Sequence, residues 1–357
     1  MAKDYKILVI NPGSTSTKVA LFSDEELVFE EKIGHSNEEL AVFSKIIDQY
    51  GFRKDIILNF LKEKGIDLST LAAVVGRGGL LRPLPSGTYR VNEKMLEDLR
   101  KGKYGEHASN LGGIIAYGIA EEVSIPTYIV DPVVVDEMEP LARISGMPEI
   151  PRISIFHALN QKAIARQAAL ALGKKYEEAN FIVAHLGGGI SVGVHCQGKV
   201  IDVNNALNGE GPFSPERSGG VPVGALVDLC FSGKFTQEEI RKKITGQGGL
   251  VAYLNTNEVR EVLKRKEQGD EKAKLILEAM AYQVAKEIGA GTTVLKGQVD
   301  AIILTGGIAY SPELVNMVKE RISFLALILV YPGGEEMLAL AKGVLRVLRG
   351  EEEEKIY

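Results

Sequence analysis

Glycine, arginine and histidine are the residues of this sequence whose spacing could do chemistry. The 39 glycines gather as NPGSTSTK, GRGG, HLGGG, LTGGI and PGGE, each directly after an apolar, β-branched run. A glycine-rich turn at the end of a buried strand is where backbone N–H groups can close on a phosphate. Arg77 lies in one such turn, VVGRGG, and Arg217 in PERSGG. A guanidinium among glycines can offer its two-pronged fork to a carboxylate or a phosphate. Of the five histidines, His107, His157 and His185 fall in motifs. None has zinc-like spacing to another histidine or to a cysteine. His35 and His195 belong to no motif and read as ordinary residues.

Two common nucleotide motifs are missing. Each Gly-Lys pair, at Lys103, Lys174, Lys199 and Lys234, is followed by Tyr, Lys, Val or Phe rather than Ser or Thr, so there is no Walker-type loop. HLGGGISVG has its glycines at 187, 189 and 193, one residue off the dinucleotide spacing, and leads into a strand instead of a helix. That argues against a nicotinamide enzyme.

The elements that must carry these turns come in two similar sets. KILVINPGSTSTKVALF (6–22) and FIVAHLGGGISVGVHC (181–196) both read as strand, tight turn, strand, with Asn11 over His185, Gly13 over Gly187 and Ala20 over Val194. Each half then has a strand ending in glycines (71–79 and 300–308) and another ending in a polar turn (125–132 and 325–335). Amphipathic helices are expected over 36–50, opened by the capping box Ser36/Glu39, over 107–123, over 157–173, closed by Gly173, and through about 270–290. Ser311-Pro312 starts another, and 335–348 forms the last. Strands alternating with helices predict an α/β fold. The domain boundaries expected are 1–153, with 335–357 returning to it, and 154–334. EEEEKIY reads as a solvated, frayed tail.

Composition narrows the function classes. Hydrophobic residues make up 45% and charged residues 25% of 357 residues, an ordinary globular mix, with a net charge of -5. Nothing there calls for nucleic acid or an anionic membrane as partner. Two cysteines, Cys196 and Cys230, make no disulfide framework, and FLALILVY is too short to span a bilayer. A cytoplasmic, non-membrane protein is the expectation.

Six motifs then align in order along nearly the whole chain. VINPGSTSTK (9–18), FHALN (156–160), HLGGG (185–189), PERSGG (215–220), LTGGIAYSPEL (304–314) and GGEEMLALA (333–341) resemble the acetate/butyrate kinase family, the acetokinases of the sugar kinase, actin and heat-shock chaperone superfamily. The NPGSTSTK opening and the length are more similar to the butyrate kinases. The resemblance implies two duplicated domains of the actin-like ATPase (ribonuclease H-like) fold with an ATP cleft between them. It implies ATP-dependent phosphorylation of a short-chain carboxylate, butanoate first, to an acyl phosphate, with magnesium as cofactor and a homo-oligomer of two or more chains. A kinase for acetate, propionate or a branched-chain acid is the alternative; a non-catalytic ATP-binding switch is another.

The family's site residues carry over position by position. Arg77 resembles the arginine that pairs with the substrate carboxylate, Arg82 being a rival in a shortened turn, and Arg217 the one that stabilises the transferring group. His157 resembles the histidine contacting the phosphoryl group in flight, and His185 the one touching ATP phosphate. Asn11, Asp131 and Glu335 resemble the amide and carboxylates around magnesium, with Glu336 as the neighbour of Glu335. Ser14, Thr15, Lys18 and Gly187, Gly188, Gly189 fall on the phosphate turns, and Gly306, Gly307 and Ile308 on the adenosine motif. Phe156 and His107 fall on the acid-binding side. Carboxylates with a pKa near 4 are ionised at neutral pH, so no general base is needed. Gly78, Gly79 and Gly209 are the sequence reason to expect room for a longer acyl chain.

Overall fold

The structure is a computed structural model and describes residues 4–357. The described chain divides into two compact units: residues up to Val135 together with Glu335–Tyr357, and Asp136–Gly334. The sequence had suggested a boundary at 153. Residues 136–153 pack with the second unit: the Glu139 amide donates to Ile201 O at 2.9 Å, and Arg152 meets Asp202 at 2.8 Å.

The first unit holds seven strands: Lys6–Pro12 (β1), Ser16–Ser23 (β2), Glu26–Gly34 (β3), Ala73–Arg77 (β4), Thr88–Arg90 (β5), Thr127–Val130 (β6) and Lys355–Ile356 (β12). The second holds Asn180–Leu186 (β7), Ile190–Cys196 (β8), Lys199–Val203 (β9), Ala301–Gly306 (β10) and Ile328–Pro332 (β11). Their orders are β12-β5-β6-β4-β1-β2-β3 and β11-β10-β7-β8-β9. In both, a hairpin continues into a third antiparallel strand, and two parallel strands are added on the other side of the first. β6-β4-β1-β2-β3 thus repeats as β11-β10-β7-β8-β9, the duplication the two strand–turn–strand motifs implied. One detail differs. Four residues separate the paired Pro12 and Thr17 but three separate the paired Leu186 and Ile190, so Val9↔Ala20 corresponds to Val183↔Gly193 and Ala20 matches Gly193 rather than Val194.

The central strands are continuous apolar runs because both of their faces are covered. Leu8, Ile10, Val19 and Leu21 pack with Ile57 and Leu61 of helix Tyr50–Glu63 (α1) and Leu111 and Ile115 of Asn110–Ala120 (α2). In the second unit, Phe181, Val183 and Ile303 pack with Ala165 and Ala168 of Ala158–Ala171 (α3), while Ile182, Val192 and Ile302 pack with Leu277, Met280 and Val284 of Glu271–Val294 (α4). Pro312–Ile322 (α5) and Glu336–Leu348 (α6) begin where the sequence placed them.

Two expectations about elements fail. The helix expected over 36–50 ends at Ala41, although its Ser36/Glu39 capping box forms. Asp48 then draws in the Lys45 amide and the Ser44 hydroxyl, each at 3.1 Å, turning the chain before α1 starts at Tyr50. The acidic tail is not frayed. Lys355–Ile356 pairs with β5, the Glu352 carboxylate accepts the Thr88 amide at 3.1 Å, and Tyr357 is 6% exposed with its hydroxyl donating to Asp98 at 2.9 Å. Charge density alone had hidden a buried ring at its end.

Candidate active site

In the first unit, the β1–β2 turn is held from beneath. Asn11 and Lys18 are register partners and so share a face. Ser14 and Thr15 lie exposed at the tip, and Lys18 reaches Glu30 across β2–β3 at 3.8 Å. Arg77 ends β4, whose approach to α2 requires two glycines: a Cβ on Gly76 would lie 2.1 Å from Gly112 O, and one on Gly112 2.3 Å from Arg77 O. That close crossing fixes the backbone from which Arg77 projects.

The structure brings Arg77, Asn11 and Glu336 together. Glu336 accepts from the Arg77 guanidinium in an ion pair and from Asn11 Nδ2 at 3.0 Å. Glu335 instead stands exposed before the first turn of α6, so of the two adjacent acids it is Glu336 that faces the other candidates. Arg82, the rival to Arg77, lies exposed with its guanidinium 4.7 Å from the Tyr357 ring centroid. Asp131 is 2% exposed with φ of 37°, a left-handed backbone rare outside glycine and costly enough to need local support. That support is visible: its Oδ1 accepts from the Ser86 hydroxyl at 2.6 Å and the Gly87 amide at 2.8 Å. His107 sits before α2, its Nδ1 accepting from the Ser109 amide at 3.2 Å.

Asp131 and Glu336 supply carboxylate oxygens and Asn11 an amide, the hard donors that suit magnesium. Among the described residues no group of three or more His, Cys, Asp or Glu is gathered as a metal cage.

Room behind Arg77 is a different matter. A Cβ on Gly78 would meet Pro132 Cβ at 2.6 Å, and one on Gly79 would meet Asn110 Oδ1 at 2.5 Å. Both glycines are packed against protein, so the space expected there for extra methylenes is already filled. Gly209 has φ of 82°, a turn requirement.

In the second unit, His157 and His185 stack with ring centroids 3.8 Å apart and planes 11° from parallel. His185 Nδ1 donates to Asn160 Oδ1 at 2.6 Å, which leaves its Nε2 over the Gly187 turn. His157 Nδ1 lies 2.8 Å from Ser191 Oγ, and Ser191 is held by Gln161, whose Nε2 donates to Ser191 Oγ at 2.8 Å and Ser191 O at 3.0 Å. With its amide so oriented, Gln161 accepts at Oε1 from His195 Nε2 at 3.0 Å, and His195 Nδ1 accepts from the Tyr176 hydroxyl at 2.8 Å. Burial, then the charges of Lys162 and Arg166, hold His195 well below the ordinary histidine range. Gln161, Ser191 and His195 went unread in the sequence because they support the motif histidine from behind. Phe156, beside His157, is 2% exposed.

Arg217 lies across the glycine turn. Its guanidinium donates to Ala206 O, and a Cβ on Gly189 would fall 1.7 Å from Arg217 Nη1. Burial pulls its pKa down from the usual arginine value. The Ser214 hydroxyl closes the same turn by donating to Gly188 O at 2.6 Å. Gly306, with φ of 89°, passes so near β7 that a Cβ would be 2.3 Å from Leu186 O. Gly307 and Ile308 follow it into the wall of a cavity of about 510 Å³, shared with Gly188, Asn257, Leu263 and Tyr310. That volume falls in the range of small-ligand sites.

The comparisons with known proteins point the same way. A profile described as the acetokinase family matches residues 151–330. The chain is 61% identical over 353 residues to Butyrate kinase 1 of Clostridium acetobutylicum, covering 99% of each. It is 57% identical, with the same coverage, to a probable butyrate kinase of Clostridium botulinum. Among solved structures, Porphyromonas gingivalis acetate kinase superposes with a TM-score of 0.79 at 19% identity, over 96% of this chain and 100% of that one. A Francisella tularensis propionate kinase gives 0.75 at 20% identity, over 95% and 98%. These two show the actin-like fold, and the sequence relatives show more: the chain belongs to the acetokinase family.

Proposed function

We infer that the chain is a carboxylate kinase that phosphorylates butanoate with ATP, giving butanoyl phosphate and ADP by direct in-line transfer. The observation that carries this reading is the 61% identity with Butyrate kinase 1 across 99% of both chains. A carboxylate oxygen of the acid forms a bond to the γ-phosphorus. The bond to the β–γ bridging oxygen breaks, and ADP leaves with the electron pair. Catalysis is then positioning and charge neutralisation. Arg77 takes the substrate carboxylate, in the place now held by Glu336, and Arg217 with His157 takes the equatorial oxygens of the moving group. His185, Gly187, Gly188 and Gly189 with Asn11, Ser14, Thr15 and Lys18 hold phosphate, while Gly306, Gly307 and Ile308 frame the adenosine side. Phe156 and His107 border the acid. Asn11, Asp131 and Glu336, rather than the exposed Glu335, would hold magnesium, which when bound neutralises phosphate charge.

Two relations follow from this chemistry. Glu336 gives up Arg77 when the acid binds. His157 meets the phosphoryl group through Nε2, its Nδ1 side being committed to Ser191. ATP, magnesium and hydroxylamine incubated with linear and branched acids of two to five carbons test the reading, since hydroxylamine traps any acyl phosphate as a hydroxamate. Butanoate should give the highest kcat/KM. Acetate used equally well would move the chain to an acetate-type substrate; no hydroxamate from any acid would leave an ATP-binding switch. A cytoplasmic homo-oligomer completes the proposal, and mass measurement in solution tests the subunit count.

A further inference from the structure

The first turn of α1 carries a buried cation that the mechanism above does not use. Arg53 heads the inward stripe Arg53, Ile57 and Leu61 and is 1% exposed. Its Nη1 donates to Gly13 O at 2.8 Å, Ser16 O at 3.2 Å and Thr17 Oγ1 at 3.1 Å; its Nη2 donates to Ser14 O at 3.0 Å and, like Nε, to Gln49 Oε1. Every one of these acceptors is neutral: among the described residues Arg53 has no carboxylate partner. Its N–H groups are satisfied, but its charge is not, and an uncompensated buried charge is expensive to keep.

The same bonds set the turn. Gly13 O and Ser14 O point in at the guanidinium, and all peptide bonds among the described residues are trans. In a trans peptide the N–H points opposite to the C=O. The amides of Ser14 and Thr15 therefore face away from Arg53, out of the tip of the turn. Thr15 O and Ser16 O are likewise drawn back, by the His35 amide at 2.9 Å and the Gly13 amide at 2.7 Å. Outward amides in front and a fixed positive charge behind make a cradle for an anion.

We propose that Arg53 is a positioning residue for nucleotide phosphate: it holds the Gly13–Ser16 turn in its anion-accepting shape and supplies the charge that a bound phosphate completes. This rests on the kinase reading for the identity of the anion. A methionine at this position would continue the apolar stripe of α1 without burying a charge, which is why the charge calls for a role.

The test is to replace Arg53 with Lys, which keeps charge but loses the fork, and with Met, which keeps length and loses charge. Melting temperature, KM for ATP, KM for butanoate and calorimetric Kd for Mg·ADP are measured on each. KM for ATP and Kd for Mg·ADP should rise tenfold or more in both variants, with KM for butanoate within about twofold. Millimolar guanidinium should recover part of the ATP affinity in Arg53→Ala. Variants that melt lower yet bind nucleotide as the parent does overturn the proposal, leaving Arg53 a packing residue only. Gln49→Leu, which removes two of the guanidinium's bonds while leaving Arg53 in place, decides the matter should the Arg53 variants fail to fold. An unchanged Kd for Mg·ADP in that variant likewise overturns it. Calorimetry needs no turnover, so a parent chain that makes no acyl phosphate would refute the kinase reading and leave this measurement intact.

Discussion

Arg77 stands 20% exposed at the end of a strand with a carboxylate across it, whereas Arg217 is drawn down over Gly189 with burial depressing its pKa. The two should fail differently. Arg77→Ala is expected to raise KM for the acid far more than KM for ATP, because it removes binding made in the ground state. Arg217→Ala should lower kcat by about 10³ or more with smaller KM changes, the behaviour of an arginine that meets charge developing in the transition state. Steady-state kinetics on both variants checks this, and matching profiles would refute the division of roles. Gly78 invites a second prediction at this scale. Because Pro132 already occupies the place of its Cβ, Gly78→Val should lose activity towards every acid instead of shifting preference to acetate. A measured shift would mean that the strand end yields and the acyl pocket does lie there.

At the scale of elements, the polar chain beneath α3 has a pH signature. His195 is neutral in the folded state because burial and the cations Lys162 and Arg166 disfavour its charge; Lys162 is itself paired with Glu137 at 2.7 Å, and Tyr176 donates to the ring. Its folded pKa lies below its unfolded value near 6.5, so the unfolded state binds more protons between the two. Stability is therefore complete above about pH 6.5 and falls as pH drops below it, by up to about 1.4 kcal/mol per pH unit. Urea midpoints between pH 7.5 and 5.5 should show that slope, and His195→Gln should reduce it. His35, whose pKa is also lowered, by burial and then Arg53, contributes in the same direction. The elements differ in how far the sequence announced them. The hairpins were legible because β-branched runs and glycine turns are local signals. Helix α3 was legible through its period and Gly173, whose φ is 68°. The break at Ala41 and the start of α1 were not, because they depend on Asp48 folding back and on Arg53 finding a turn forty residues away. Arginine on a helix reads as a solvated face until its tertiary partner is known. The exchange of Glu335 for Glu336 has the same origin: one helical step decides which acid faces Asn11.

For the whole molecule, the acidic tail matters more than its composition suggests. Tyr357 has its phenol pushed up to about 12, mainly by burial, so it stays a donor to Asp98. Tyr357→Phe should destabilise the first unit by about 1.5–3 kcal/mol, the usual range for a hydrogen bond to a charged acceptor, read from urea unfolding. Parent-like stability would mean that the ring's packing alone anchors β12. The order of segments along the chain has a further consequence. Asp136–Gly334 is one uninterrupted stretch, while the first unit is completed only by α6 and β12, which follow it. During synthesis the usual N-terminal-first order should therefore be inverted. A ribosome that has made the first 135 residues has exposed β1, β4 and β6 without the helix that covers their second face. The inserted unit can finish folding while its predecessor waits, so nascent chains paused within it should be the species most prone to chaperone capture, with protease resistance of the N-terminal strands appearing only after residues 335–357 emerge.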